Sequence, residues 1–390
     1  MSINGKAYIV GAYEHPTRKA VGYTLPQLHA EMCAGALADA GLTMADVDGF
    51  FCASDAPGLG GMNMAEYLGL SKLAYVDNTD TGGSSYVLAV DHAAQAIAAG
   101  KCKVALITLA GMPRVGVHPK GEGAFFDDPV TPDVPYELPY RHTIANIYAM
   151  CARRHMHEFG TTSEQLAWVK VAASHHAQHN PQAMLRDVVT VEDVVNSPMI
   201  ADPLHRLDCC VISDGGGALV VVAPEIARSL KRPLIKVRGG GTAIKHMNGG
   251  KHDMTFSGGV WSGPRAFAEA GVTPNDIKYV SIYDSFTITV LMTLEDLGFC
   301  EKGKGGAFVA DGNLISGVGR LPFNTDGGGL CSNHPGNRGG MTKVIEAVRQ
   351  LRGEAHPAVQ VKNCDLALAH GTGGYLGTRH GSATLILERV

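Results

Sequence analysis

The chain repeats its own landmarks in the same order, and a duplicated chain folds into two halves of one design. Residues 40–48 read AGLTMADVD and residues 270–278 read AGVTPNDIK, 230 residues apart. The first is followed by an apolar run, Gly49 to Ala53, and the second by YVSIYDSF. NTDTGG at 78–83 returns as NTDGGG at 324–329, 246 residues later. A helix-like stretch follows each turn, AVDHAAQAIAAG at 89–100 and MTKVIEAVRQLRG at 341–353. A strand-like run follows each helix, VALITLAG at 104–111 and LALAHGTGG at 366–374. Helix, strand, turn, helix, strand, twice over, is a duplicated α/β unit. The alternation predicts buried sheets with helices on both faces.

The repeat is interrupted. The N-terminal half spans 1–111 and 209–230, an insertion fills 112–208, and the C-terminal half spans 231–390. The insertion opens with PRVGVHPKGEGAFFDDPVTPDVPYELPY, rich in Pro, Gly and acids, which reads as a long ordered loop. Helical patterning follows at Ile144–Phe159 and Ser163–His179, with Thr162 or Ser163 as the cap of the second. DCCVISDGGGALVVVA at 208–223 then reads as a turn feeding a buried strand.

Composition excludes several classes of function. With 33 basic and 37 acidic residues and no long basic run, the chain is a poor partner for nucleic acid. No stretch of 18 apolar residues is present, so no membrane-spanning helix is expected. Nine scattered cysteines fit reduced thiols in a cytoplasm better than a disulfide framework. The 49 glycines, many in doublets and triplets, point to tight turns near a ligand.

Four glycine-rich segments carry the candidate chemistry. In the turn at 80–85, the N–H groups of Gly82, Gly83 and Ser84 open a helix and can hold an oxyanion; a close-packed turn without chemistry reads equally well. Tyr283 and Asp284, ending an apolar run, offer a phenol and a carboxylate. His334, in LCSNHPG, is a candidate general base, and neighbouring Cys331 reads as core. His370 is a second candidate acid or base, and the Gly373 and Gly374 backbone can line the same pocket. No metal site is expected: His175, His176 and His179 lack supporting ligands and read as a surface face. The glycine triplets lack the dinucleotide-binding pattern, so no nicotinamide cofactor is expected.

Together these motifs resemble the thiolase superfamily, and most nearly its lipid-transfer or sterol-carrier-protein branch. SDGGGALVV (213–221) is similar to the family's close of its first half, and SNHPG (332–336) to its Gly-His-Pro motif. YDSF (283–286) stands where that branch has His-Asp-Cys-Phe, and HGTGG (370–374) where many members have Cys-Ile-Gly-Gly-Gly. The resemblance implies thiolase-type βαβαβ halves in a layered α/β/α/β/α sandwich with a loop-domain insertion. It implies coenzyme A as part of the substrate, with no cofactor bound permanently. It implies a homodimer, in some members joined by a small zinc-ribbon and OB-fold protein.

The departures bear on the chemistry. Counted back without gaps from Ala96–Gly100, the nucleophilic cysteine of thiolases falls on Gly83, and a slip of one residue puts it on Gly82 or Ser84, of which only Ser84 is a nucleophile; both catalytic thiols are gone. What remains favours an enolate beside a thioester, as in retro-aldol cleavage of a β-hydroxyacyl-CoA, with Tyr283 or His334 taking the hydroxyl proton. A steroid side-chain aldolase branch is similar in lacking the cysteine and in placing a tyrosine at the position of Tyr283. Two other readings stay open: an acyltransferase acylated elsewhere, at Ser84, at Cys331 or at a thiol from a partner, and a non-catalytic acyl-CoA-binding or structural subunit. Phe125, Phe126, Tyr136, Tyr140 and Tyr148 in the insertion suit a bulky acyl group, or pack as core.

Overall fold

The computed structural model describes residues 2–116, 138–140, 143–246, 251, 253–336 and 339–390. The N-terminal half runs β1 (Tyr8–Glu14), α1 (Leu25–Ala40), β2 (Gly49–Cys52), α2 (Gly61–Leu68), β3 (Tyr75–Asn78), α3 (Ser85–Ala98) and β4 (Val104–Gly111). The insertion contributes α4 (Ile144–Phe159) and α5 (Ser163–Ala177), and β5 (Gly215–Val222) closes the half. The C-terminal half runs β6 (Ile235–Lys245), α6 (Gly259–Ala270), β7 (Tyr279–Ile282), α7 (Thr287–Asp296), α8 (Gly340–Arg352), β8 (Leu366–Tyr375) and β9 (Thr378–Arg389).

The repeated landmarks fold alike for local reasons. α1 and α6 each end on a left-handed glycine, Gly41 at φ 73° and Gly271 at φ 65°, which frees the last carbonyls to be capped. Two residues later, the N–H groups of Thr43 and Thr273 donate to the carboxylates of Asp46 and Asp276, both at 2.8 Å. Each Thr–Asp pair closes a single helical turn and aims the chain into a strand, β2 or β7. The asparagine of each NTD turn then returns to that strand. Cys52 Sγ donates to Asn78 Oδ1, and Asn324 Nδ2 donates to the Ile282 carbonyl at 2.8 Å.

Nine strands form one sheet in the order β3-β2-β4-β5-β1-β6-β9-β8-β7. The two halves meet at a short seam, where Tyr8 pairs with Lys236 and Ile9 with Ile235. β2 runs parallel to β3 and β4, and β7 parallel to β8; the remaining ladders are antiparallel. α3 and α8 lie between the halves. Val87, Val90, Val344 and Val348 from these helices share a core with Ile107 and Val221 of the first half and Val237 and Leu385 of the second. α1 covers the other face of the first half, with Leu28 and Met32 against Phe50 and Leu106. Each fully buried side chain of this kind contributes about 1.5–3 kcal/mol. α6 and α7 cover the outer face of the second half, so the layering is α/β/α/β/α as expected.

The insertion packs on this same outer layer. Tyr148 of α4 and Leu166 and Val169 of α5 join Leu291 of α7 and Leu330 in one core. Thr162, not Ser163, caps α5, accepting from the Gln165 N–H. His176 departs from the expected surface face: it is buried, and its Nε2 accepts the Ser316 N–H at 2.9 Å. The long loop expected after residue 112, with Phe125, Phe126 and Tyr136, lies almost entirely outside the described residues. No helix is long and apolar enough to cross a membrane among the described residues.

Candidate active site

The glycine turn at 80–85 and the 371–374 end of β8 cross almost backbone to backbone. A Cβ on Gly373 would stand 1.8 Å from the Thr81 carbonyl, and one on Gly82 3.0 Å from the Gly374 nitrogen. Only glycines permit that approach. The constraint is sharpest at Gly83, at the mouth of α3. A Cβ there would lie 2.1 Å from the Thr372 carbonyl oxygen and 2.6 and 2.7 Å from Cε2 and Cζ of the Tyr283 ring. The space in which a side chain at 83 would begin is therefore filled by Tyr283.

Tyr283 is delivered by the end of β7. Its N–H donates to the His370 carbonyl at 2.9 Å, extending the β7–β8 pairing by one residue. Its ring meets His334 edge-on, with centroids 5.3 Å apart and planes at 80°. Burial pushes the phenol well above its ordinary pKa, neighbouring Cys210 and Tyr148 add to the rise, and the Gly339 amide opposes it. Tyr283 is thus a neutral hydrogen-bond donor at neutral pH, not a phenolate base.

His334 is held by its backbone rather than its ring. Its N–H donates to Ser213 Oγ at 2.8 Å, and Ser213 donates in turn to Asn333 Oδ1 at 2.7 Å. The residue keeps some surface to solvent, but Nε2 is enclosed and has no hydrogen-bond partner among the described residues. Burial lowers its pKa to about 4; Asp284 opposes that shift and Lys343 reinforces it. A neutral imidazole nitrogen enclosed beside a phenol can accept a hydrogen bond.

The other expected residues divide between backbone and scaffold roles. Asp284 is fully buried and committed: Oδ1 accepts from Lys343 Nζ and the Gly329 N–H, both at 2.8 Å, and Oδ2 accepts from the Leu330 N–H at 3.1 Å. His370 contributes its carbonyl to Tyr283, but its ring lies on the opposite face of β8. There Nδ1 meets Thr384 Oγ1 at 2.9 Å and Nε2 meets Ser382 Oγ at 3.2 Å, and burial lowers its pKa to about 3. Strand alternation explains this, because the next residue, Gly371, faces Ser84 and Val87 in the central layer. The Gly82 N–H donates to Asp80 at 2.8 Å, and the buried Ser84 hydroxyl donates to the Thr81 carbonyl at 2.8 Å. Among the turn residues, Gly83 remains the one that opens α3 directly against Tyr283.

Two residues join the site without having been expected there. Tyr148, read only as part of a bulky-acyl lining, reaches it from α4. Its hydroxyl donates to the Gly374 carbonyl at 3.2 Å, and its ring stacks on Phe286 with centroids 4.5 Å apart. Tyr140, from the same list of aromatics, is exposed instead. Lys343 sits within α8 and pairs with Asp284; nothing in VIEAVRQ-type helical patterning marks such a lysine as buried. No cysteine offers an activated thiolate. Burial raises the thiols of Cys33, Cys102, Cys151, Cys209, Cys210, Cys300 and Cys364 to about 12, and raises Cys52 and Cys331 as well. Among the described residues, no cluster of His, Cys, Asp and Glu is arranged to hold a metal ion.

Comparison with known proteins agrees with this architecture. Residues 7–225 match the thiolase N-terminal domain and residues 241–389 the thiolase C-terminal domain-like family. A steroid side-chain-cleaving aldolase from Thermomonospora curvata is 38% identical, over 90% of this chain and 91% of that protein. A 17-hydroxy-3-oxo-4-pregnene-20-carboxyl-CoA lyase from Mycobacterium tuberculosis is 34% identical, over 95% and 97%. An acetyl-CoA acetyltransferase from Methanothermobacter thermautotrophicus is 35% identical, over 88% and 90%. Among solved structures, the Ltp2-ChsH2(DUF35) aldolase superposes with a TM-score of 0.86 at 36% identity, covering 100% of this chain and 99% of that one. With both halves of the family matched, the chain belongs to the thiolase superfamily, in its sterol-carrier-protein and thiolase-like branch, and is an enzyme of acyl-CoA thioesters.

Proposed function

We propose that the protein cleaves a carbon–carbon bond of a β-hydroxyacyl-CoA by a retro-aldol reaction, without an acyl-enzyme. The observation that carries this reading is the Tyr283 ring standing where a nucleophile's side chain would start on Gly83. A thiolase nucleophile and this tyrosine exclude each other sterically.

The residues present suffice for the reaction. His334 Nε2 takes the proton of the β-hydroxyl. The oxygen's electrons form the carbonyl, the bond between the α and β carbons breaks, and its electron pair enters the thioester as an enolate. The Tyr283 phenol, neutral and close to His334, hydrogen-bonds that enolate and gives a proton to the α carbon, and the proton held on His334 then passes back to the phenolate oxygen, so that both groups return to their starting states. The products are an aldehyde or ketone and a shortened acyl-CoA. The backbone N–H groups at Gly83 and Gly374 are the candidate holders of the thioester oxygen, a contact worth about 3–4 kcal/mol in comparable sites. Asp284 and His370 position backbone in this scheme rather than touching substrate.

The relatives support the chemistry and suggest a bulky, cyclic acyl group, since two of them are named for steroid side-chain substrates. Acyl transfer has support from the acetyltransferase relative. It needs a nucleophile, and the two candidates weighed within this chain are engaged: Ser84 with Thr81, and Cys331 with Lys170 at 3.2 Å. We place the protein in the cytoplasm as a homodimer, with a zinc-ribbon and OB-fold protein as partner; the naming of the solved aldolase as Ltp2-ChsH2(DUF35) supports a second component of some kind. The test is incubation with a β-hydroxyacyl-CoA bearing a cyclic substituent. Carbonyl product and shortened acyl-CoA are expected, with loss on Tyr283→Phe. Turnover intact in both Tyr283→Phe and His334→Ala overturns the assignment.

A further inference from the structure

We propose that Lys343 is a positioning residue that sets the charge state of His334, by cancelling the carboxylate of Asp284 behind it. The inference rests on the role given to His334 above, but its first readout does not need turnover. Lys343 lies in the first turn of α8, and only 2% of its side chain is exposed. Its ammonium sits 2.8 Å from Asp284 Oδ1, in a fully buried pair. Asp284 reaches toward the His334 loop through the amides of Gly329 and Leu330. A Cβ on Gly329 would lie 3.0 Å from Asp284 Oδ1 and 3.2 Å from His334 Cδ2, so carboxylate and imidazole flank one glycine.

The two charges act on the ring in opposite directions. Asp284 favours protonated His334, and Lys343 disfavours it. Burial alone disfavours a charged Lys343, but Asp284 and Asp326, with Glu14 behind, hold it protonated. Arg349 faces Asp326 and Glu14 from the same helix, and among the described residues the Tyr283 ring also stands against the His334 ring. Within this set, Asp284 and Lys343 are the charged groups that bear on His334. An uncompensated Asp284 would favour the protonated imidazole, so the pair extends the pH range over which the acceptor nitrogen stays free.

The experiment titrates His334 by NMR in histidine-labelled protein, with its resonance assigned by loss in His334→Gln. Lys343→Met is expected to raise the midpoint by about 1 pH unit or more, the usual effect of an unbalanced charge within a few ångströms. Asp284→Asn is expected to lower it, and the double variant to return it toward wild type. The acidic limb of the turnover profile is expected to move with the NMR midpoint. Lys343→Met leaves a buried carboxylate unpaired and is the variant at risk of unfolding; Asp284→Asn and the double variant then carry the test. A purely structural pair lowers melting temperature and rate without moving the midpoint in opposite directions. Unchanged midpoints in the folded variants overturn the proposal. Midpoints that move as expected in a protein that cleaves no β-hydroxyacyl-CoA uphold Lys343 and reject the retro-aldol reading.

Discussion

Restoring the missing cysteine is expected to damage this enzyme rather than turn it into a thiolase. Gly83→Ala isolates the steric part, because one Cβ already meets the Thr372 carbonyl at 2.1 Å and two Tyr283 ring atoms at 2.6 and 2.7 Å. Ordinary contact begins near ~3.4 Å, so either β8 or the ring must retreat by roughly 1 Å, against interiors packed as densely as crystals. Overpacking usually costs about 1–3 kcal/mol, and a backbone carbonyl that cannot rotate away places this site at about 3. Tyr283→Ala by itself loses a buried ring, about 3–5 kcal/mol. Combined with Gly83→Ala it relieves the ring contacts but not the carbonyl contact. The double variant should therefore be less destabilised than the sum by about 1–2 kcal/mol. Urea unfolding of the four proteins gives the cycle. Gly83→Cys, treated with acyl-CoA and examined by intact mass, should show no stable acyl adduct. A Gly83→Cys protein of wild-type stability that acylates would refute the exclusion argument.

Three further outcomes follow from the same geometry. Burial lowers His176, His370 and His380 to about 3 and His334 to about 4, against about 6.5 in an unfolded chain. The unfolded state therefore binds more protons between pH 6.5 and 4. Stability is complete above 6.5 and falls with pH, by up to about 1.4 kcal/mol per pH unit for each histidine, so melting temperature should drop steeply below pH 6; a flat profile from pH 7 to 5 contradicts it. Iodoacetamide at pH 7.5 should leave turnover unchanged, since burial raises every cysteine thiol; inactivation protected by acyl-CoA would revive the thiol reading. Tyr148→Phe keeps the stack on Phe286 and removes the bond to the Gly374 carbonyl, so it should cost about 1 kcal/mol of stability, read by urea unfolding. A variant as stable as wild type would contradict that bond.

Much of the scaffold was legible because its signals are local. Gly41 with Thr43–Asp46, and Gly271 with Thr273–Asp276, spell the same helix stop, single turn and strand start. Ile144–Phe159 shows its length directly in the chain. The site was legible in its parts but not in its contacts. That Gly83 lacks a cysteine is plain from the motif; that Tyr283 fills the vacated volume is not, because the two residues come from different halves. His370 looked equivalent to His334, since a histidine in a glycine-rich strand does not declare which face it takes. Lys343 carries no sequence mark, and Tyr148 is marked only as one of five aromatics that suit a bulky acyl group or pack as core. One is a lysine in an amphipathic helix and the other a tyrosine among several, and only packing across the layers buries them beside the site.

The most direct test of a cysteine-free lyase is one reaction followed by two detectors. A β-hydroxyacyl-CoA with a cyclic substituent is incubated with the enzyme and its expected partner. Chromatography follows the released carbonyl compound and shortened acyl-CoA, while intact-protein mass spectrometry follows the enzyme. The account predicts both products in equal amounts, an unmodified protein mass throughout, and loss of product in Tyr283→Phe. An enzyme mass raised by the acyl group during turnover, with no carbonyl product, would contradict it.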